Sequence, residues 1–146
     1  GLKSSLYDLK SGVWTTIRRP AMSFPVWFTL PRELLPCRLD RGRLSLRLSA
    51  PGRAVTVSRV GDAAAPLHRL ESPEGLHELP LDDVALELDD QGRLGFTLAF
   101  GPTALEARSE EADVRVDDGW QLEHVRLSVE GVAGTRSRTA DRPDRP

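Results

Sequence analysis

The clearest structural signal in this 146-residue chain is the run Arg43-Leu44-Ser45-Leu46-Arg47-Leu48-Ser49. Leucine occupies every second position, and charged or small polar residues occupy the positions between. Successive side chains of a β-strand point to opposite faces of the sheet, so this period of two predicts a strand with one buried face. The same alternation recurs at Leu94–Phe100 and at Val125–Val129.

The segments between these runs have the composition of tight turns. Asp40-Arg41-Gly42, Pro51-Gly52, Asp90-Gln91-Gly92 and Asp118-Gly119 each separate two strand-like runs, and glycine supplies the positive φ that a reversal needs. The best helical signal is one turn at Pro31–Leu35, which Pro36 ends. Strands are predicted near residues 13–18, 24–30, 43–49, 54–60, 67–71, 76–79, 84–88, 94–100, 103–108, 112–117 and 120–130, with some of these merging.

This pattern predicts an all-β chain: a two-sheet antiparallel β-sandwich of the jelly-roll type with about nine or ten short strands. Residues 13–133 form the predicted domain. Residues 1–12 are predicted to be a lead-in, with Leu2, Leu6 and Leu9 at helical spacing. Residues 134–146 have Ala140 as their only hydrophobic residue, which predicts a disordered tail or linker.

The last predicted strand changes phase. Trp120 and Leu122 share one parity, whereas Val125, Leu127 and Val129 share the other. A β-bulge near Glu123-His124 would return both sets to one inward face and would turn His124 toward solvent.

Two segments resemble the opening and closing strands of galactose-binding-like jelly-roll sandwiches. They are Phe24-Pro-Val-Trp-Phe-Thr-Leu-Pro31 and Trp120-Gln-Leu-Glu-His-Val-Arg-Leu-Ser-Val-Glu-Gly131, about 20 residues in total. The resemblance implies an accessory module of a bacterial surface, secreted or membrane-anchored protein. The chain departs from the sugar-binding members because it lacks a dense set of aromatic residues and a recognisable calcium loop.

Charge is distributed unevenly along the chain. The net charge of −2 argues against nucleic-acid binding. Residues 1–73 carry 12 basic and 5 acidic residues, a net +7, whereas residues 74–146 carry 8 and 17, a net −9. This split predicts either opposite surface patches, which would favour self-association or a charged partner, or neighbouring strands whose outward charges pair. Peripheral contact of the basic half with anionic lipid stays open, and the absence of a long apolar run predicts no membrane span.

Motifs for catalysis and metal binding are missing from the sequence. His68, His77 and His124 are dispersed, and the single cysteine, Cys37, has no histidine near it in sequence. The acidic doublets Asp82-Asp83, Asp89-Asp90 and Asp117-Asp118 do not fit a calcium-loop spacing, and aspartate in turns commonly bonds its own backbone. We therefore expect no cofactor and no enzymatic activity.

The aromatic residues are the better candidates for a binding role. Val26, Phe28 and Leu30 share a parity, so Trp27 points to the opposite face of its strand. Trp14 opposes Val13, Thr15 and Ile17 in the same way. An exposed tryptophan can stack on a sugar ring or anchor a protein partner, whereas strands covered on both faces would bury both rings.

The sequence predicts a non-catalytic interaction or assembly module within a larger envelope-associated or multisubunit system, with a protein partner or self-association. The first alternative is a carbohydrate-binding module in which Trp14 or Trp27 contacts the ligand. The second alternative is a small hydrolase or lyase on a sandwich fold. An extracytoplasmic or envelope location is favoured by the resemblance alone.

Overall fold

The computed structural model of the chain describes residues 2–3, 6–31, 37–81, 88–117 and 119–133. Every regular element in these ranges is a β-strand, which confirms the all-β prediction. The strands are β1 (Leu2–Lys3), β2 (Leu6–Leu9), β3 (Thr15–Arg19), β4 (Met22–Thr29), β5 (Cys37–Ser49), β6 (Ala54–Arg59), β7 (His68–Glu71), β8 (Leu76–Pro80), β9 (Arg93–Phe100), β10 (Thr103–Ala107), β11 (Val114–Asp117) and β12 (Gln121–Ala133).

The strands pair in a nested order, first with last and inward from both ends. Thus β1 pairs with β12, β2 with β11, β3 with β10, β4 with β9, β5 with β8 and β6 with β7, all antiparallel. Further pairing of β12 with β5 and of β9 with β6 gives two four-stranded sheets, β1-β12-β5-β8 and β4-β9-β6-β7. This order is compatible with the predicted jelly-roll type.

One hydrophobic core lies between the two sheets. The first sheet contributes the three leucines of the 43–49 stretch, all with no exposed surface, and the second contributes Val55, Val57 and the inward residues of β9. Burying each such side chain stabilises the fold by about 1.5–3 kcal/mol. Because both sheets bury one face against the same core, the molecule is the predicted β-sandwich.

A long two-stranded ribbon connects the second sheet to the rest of the chain. Met22 pairs with Phe100 and Arg19 pairs with Thr103, so the register of β4 and β9 continues unbroken into β3 and β10. The ladder is interrupted where Pro20 lies across from Pro102, because proline has no N–H to donate. We call residues 15–29 and 93–107 the long ribbon.

Arg53 lies at this interruption, where it is 2% exposed. Its guanidinium donates to the carbonyl oxygen of Pro20 at 2.8 Å and to that of Gly101 at 3.1 and 3.3 Å. The same group lies 5.5 Å from the centre of the Phe100 ring. A buried side chain therefore supplies the donors that the two prolines cannot.

Two compensating bulges interrupt the pairing of β5 with β12. The register shifts between Glu123 and Arg126, and His124 is exposed with φ of 53°, which confirms the predicted bulge. A second shift lies between Glu130 and Gly131, opposite Asp40. The predicted turn at residues 40–42 is therefore wrong, because the long partner strand β12 keeps β5 extended there and the extra residue is absorbed as a bulge.

The other turn and boundary predictions have mixed outcomes. Gly52 has φ of 72° in a turn closed by the Arg53 N–H and the Ala50 carbonyl at 3.1 Å, and a turn also forms at residues 90–92. The predicted lead-in is not helical where the structure describes it, since β1 and β2 pair with β12 and β11. Four predictions fall wholly or partly outside the described residues. They are the helical turn at residues 31–35 beyond Pro31, most of the strand at 84–88, the last turn at Asp118, and the tail at 134–146.

We expect Arg53→Ala to lower the free energy of unfolding by about 1.5–3 kcal/mol, because the carbonyls of Pro20 and Gly101 lose a buried charged donor. Urea unfolding followed by circular dichroism measures this loss. Arg69→Ala is the matched control, since Arg69 is an exposed arginine paired with Glu71 and its loss should cost less than about 1 kcal/mol. Equal losses in the two variants would contradict the role given to Arg53.

Candidate functional site

Trp27 lies on the outer face of the second sheet. Its neighbours Val26 and Phe28 turn inward and pack against the core, whereas the Trp27 side chain is 44% exposed. The expectation of an outward-facing Trp27 is therefore confirmed. Across the ladder, Trp27 pairs with Gly95 of β9.

Gly95 leaves the space that the Trp27 ring occupies. A Cβ atom built on Gly95 would lie 2.5 Å from Cζ3 and 2.6 Å from Cε3 of Trp27, and 2.8 Å from Cγ2 of Val60. Real Cβ atoms do not approach so closely, so only glycine allows the indole to lie on the β9 backbone. Glycine inside a strand commonly marks a close approach of this kind.

A fixed guanidinium covers part of the Trp27 ring. The Arg93 guanidinium carbon lies 4.8 Å from the ring centre, within the range of a cation–π contact. Arg93 Nε donates to Asp89 Oδ2 at 2.7 Å, while Asp89 Oδ1 accepts the backbone N–H groups of Gln91 and Arg93, each at 2.8 Å. Asp89 thus forms the turn between residues 89 and 92 and also positions Arg93.

A cavity of about 380 Å³ opens beside the ring. A second ion pair lines it, with Arg59 donating to Asp62 Oδ2 at 2.8 Å. The lining residues are Trp27, Arg59, Val60, Gly61, Asp62, Leu88, Asp89, Arg93, Leu94 and Gly95. We call this cavity the Trp27 pocket.

The chemistry of the Trp27 pocket suits a neutral polar ligand with one apolar face. Two arginines and two aspartates line it, and each arginine has a carboxylate partner within the pocket. The indole and Val60 supply apolar surface, while the ion pairs supply fixed donors and acceptors. Within the described ranges, no three His, Cys, Asp or Glu side chains stand together in a way that could hold a metal ion.

Trp14 lies at the far end of the long ribbon. It is 65% exposed, and the Arg108 guanidinium lies 5.2 Å from its ring centre. Arg108 in turn donates to both carboxylate oxygens of Glu110, at 3.0 and 3.1 Å. Of the two alternatives that the sequence left open for Trp14, exposed or covered, the structure has the exposed one, but it does not bring Trp14 to the Trp27 pocket.

The other candidate residues are dispersed. His68 donates from Nε2 to the Pro80 carbonyl at 2.7 Å and so links β7 of one sheet to β8 of the other. His77 lies on β8 opposite Leu46, and His124 lies at the bulge in β12. The remaining candidates lie outside the described part of the structure: Asp82-Asp83, Asp118, and the side chains of Cys37 and Asp117.

The two oppositely charged halves of the sequence interleave in the fold. Five of the six nested strand pairs join a strand of the first half to one of the second. Lys10 pairs with Asp113 at 3.5 Å, Arg43 with Glu78 at 3.7 Å, and Arg115 with Asp8 at 3.0 Å. The structure therefore favours the expectation of paired charges on neighbouring strands over that of two separate patches.

Sequence reasoning missed every partner of Trp27 in the pocket. The usable signal was Gly95 itself, a glycine inside an otherwise alternating strand, which indicates that something approaches the backbone closely. The identity of the approaching residue required the register of β4 against β9. Arg59 and Asp62 carry no sequence signal of this kind, since they reach the pocket from another strand and its following turn.

Comparison with protein-family models, with curated proteins and with solved structures finds no match to this chain. Among the residues that the structure describes, no helix has the length and apolarity that a membrane crossing requires.

We expect Gly95→Ala to displace the Trp27 ring while the protein stays folded, because the new methyl group would overlap Cζ3 and Cε3. The indole N–H signal of Trp27, assigned with Trp27→Phe, should move in a two-dimensional NMR spectrum. Gly101→Ala is the matched control, since its Cβ would have its nearest contact at 3.7 Å. An unmoved Trp27 signal in Gly95→Ala would show that the ring does not lie on Gly95.

Contact of Arg93 with Trp27 should resist mild acid. The hydrogen bond from the Arg93 backbone N–H lowers the pKa of the Asp89 carboxyl below its ordinary 3.8, and the Arg93 side chain and the Gln91 N–H act in the same direction. A depressed pKa means that the contact persists above the ordinary value and is lost only as pH falls through the lowered one. The Trp27 indole signal of the wild type should stay constant from about pH 7 to about pH 5 and should change only at lower pH, where Asp89 is protonated. In Asp89→Asn this change at low pH should be absent. A transition in the wild type above about pH 5 would contradict this.

Proposed function

We propose that this chain is a non-catalytic carbohydrate-binding module and that the Trp27 pocket is its site. The observation that carries the proposal is the indole of Trp27, laid on Gly95 and open to a cavity lined by two ion pairs. A sugar presents apolar C–H groups on one face of the ring and hydroxyl groups around it. The indole matches the first and the ion pairs match the second.

The construction of the site supports binding without large rearrangement. Gly95 fixes the height of the indole above the sheet, and Asp89 fixes Arg93 through two hydrogen bonds, one from its backbone N–H and one from its Nε. Rigid groups lose little conformational freedom on binding, which favours affinity. The pocket also lies on paired strands and a short turn, both of which hold side chains in place.

Two features support the non-catalytic part of the proposal. Among the described residues that line the Trp27 pocket there is no histidine or cysteine. Asp62 and Asp89 each accept a hydrogen bond from an arginine. The hydrogen bond from the Arg93 backbone N–H lowers the pKa of the Asp89 carboxyl, which disfavours Asp89 as a general acid. The nested strand order supports the jelly-roll type and the galactose-binding-like resemblance, which we retain as part of the proposal.

A second candidate function is an interaction or assembly module within a larger system. The two-stranded sheets β3-β10 and β2-β11 favour it, because each has outer edges with no strand partner among the described residues. Leu105 on β10 and Val114 on β11 are exposed beside those edges. Unpaired edges with apolar side chains are templates for strand addition by a partner. The interleaved charges give this candidate no electrostatic support.

The test is titration of the protein with galactose, glucose and N-acetylglucosamine, followed by NMR. The chain has three tryptophans, and their indole N–H signals are assigned with single Trp→Phe variants. We expect a sugar to move the Trp27 signal and to leave that of Trp120, which is buried in the core, unmoved. Trp27→Ala should weaken binding at least about tenfold, as loss of a central aromatic contact does.

The control separates stacking from electrostatic binding. Affinity should be nearly the same at low and high salt, because a neutral ligand has no charge for salt to screen. Leu76→Ala removes an exposed apolar side chain outside the pocket and should bind as the wild type does. Absence of any shift at Trp27 with all three sugars would reject the proposed site.

A further inference from the structure

Strand β10 (Thr103–Ala107) forms an outer edge of the long ribbon. Among the described residues it pairs with β3 alone, so the side of its backbone away from β3 has no strand partner there. Its three central residues are exposed, and Leu105 at the centre keeps 45% of its surface. On β3, by contrast, Ile17 and Arg19 are buried. Of the two strands of this pair, β10 is therefore the one that is accessible to a partner.

The backbone hydrogen bonds beside β9 fix which residues of β10 face this edge. Just after β9, the Gly101 N–H donates to the Ala54 carbonyl at 2.8 Å, on the side of β6 and away from β4. The register continues without a shift from β9 into β10. Because the direction of the backbone polar groups alternates along a strand, the N–H and C=O groups of Thr103, Leu105 and Ala107 point outward, away from β3.

The side chain that could protect this edge is turned away from it. Edge strands are commonly protected from further pairing by a proline or by an exposed charge. Strand β4 of the same ribbon contains Pro25, whereas β10 has no proline and Glu106 is its one charged residue. The Thr16 hydroxyl of β3 donates to both carboxylate oxygens of Glu106, at 2.8 and 3.1 Å, and so holds this charge on the β3 side. As far as the structure describes the chain, the outer edge of β10 is open to strand pairing.

The sequence of β10 is complementary to itself. When two copies lie antiparallel with Leu105 opposite Leu105, Thr103 lies opposite Ala107 and Ala104 lies opposite Glu106. No like charges are then opposite each other, and the two leucines form an apolar cross-strand pair. Since the residues that point their polar groups outward meet one another in this register, it forms about six backbone hydrogen bonds. A two-fold axis between the leucines closes the assembly as a dimer.

We propose that a second copy of this chain binds at the outer edge of β10, antiparallel and with Leu105 at the two-fold axis. The pairing joins two ribbons into a four-stranded sheet of order β3-β10-β10-β3, with Ile17 and Leu105 of each copy in one row. A strand pair of five residues buries little surface, so the dimer is weak and depends on protein concentration.

This inference rests on the second candidate function, the interaction module, and names its partner. It is independent of sugar binding, because no residue of β10 is among the described residues that line the Trp27 pocket. The two proposals can therefore fail separately.

Sedimentation velocity of the full chain, from about 10 µM to about 1 mM, measures the association. We expect the mass to rise with concentration from 16.1 kDa toward twice that value. Leu105→Lys puts two like charges opposite each other at the axis and should weaken the dimer at least about tenfold. Leu76→Lys is the matched control, because Leu76 is a similarly exposed leucine on another edge strand, β8, and should leave the association unchanged.

A cross-linking measurement tests the register of the pairing. In a Cys37→Ser background, Leu105→Cys introduces the only thiol of the chain. The proposed register places the two Cα atoms of residue 105 about 5.5 Å apart, within the span of a disulfide, so mild oxidation should give a covalent dimer. Leu76→Cys in the same background should cross-link far more slowly. Thermal unfolding at the wild-type temperature verifies that each variant is folded.

The outcomes separate this inference from the proposed function. A mass of 16.1 kDa at every concentration overturns the dimer, and so does equal cross-linking at residues 105 and 76 or an association that Leu105→Lys leaves unchanged. A monomer whose Trp27 signal moves with sugar rejects the dimer and supports the pocket. A dimer that depends on Leu105 in a protein that binds none of the sugars supports the β10 edge and rejects the pocket.

Discussion

The register of one antiparallel ladder determines which aromatic side chains enter the core and which side chains form the Trp27 pocket. The pairing of β3 and β4 with β9 and β10 keeps the same register from Thr15 to Thr29. Its inward residues supply aromatic rings to the core, including Phe24, which packs against Phe100 at 5.8 Å between ring centres. Its outward residues place Trp27 on Gly95. A slip of one residue would exchange the faces and would remove both the core packing and the pocket.

That ladder lacks hydrogen bonds at one point, and a side chain from another segment of the chain replaces them. Two prolines face each other where the ribbon leaves the second sheet, so ladder hydrogen bonds are lost there. Arg53, on the turn before β6, restores donors to the carbonyls on both sides of the gap. Burial of an arginine is costly unless its donors are satisfied, and here the satisfied donors join three segments of the chain. The ribbon beyond the gap, with Trp14 at its end, is thereby connected to the sandwich.

The strands were largely predictable because their period of two follows directly from one buried face. The bulge at His124 was predictable for the same reason, since a change of phase in a strand with a single core face requires an extra residue. The turn predicted at Asp40 failed because a local Asp-x-Gly signal competes with pairing to a long partner strand, and the pairing forms more hydrogen bonds. The leucine spacing of the first nine residues was similarly overridden by strand partners distant in sequence.

The sequence left open whether the faces that carry Trp14 and Trp27 are covered, but it predicted the fold class, the inward set of leucines and phenylalanines, and the orientation of Trp27 opposite to Val26 and Phe28. Each of these is a local property, since alternation along one strand decides it. Tertiary structure alone decided that Gly95 lies beneath Trp27, that Arg59 and Asp62 complete the pocket, and that the charged halves interleave. These depend on which strands pair and in what register, and hydrogen bonds between segments far apart in sequence decide both.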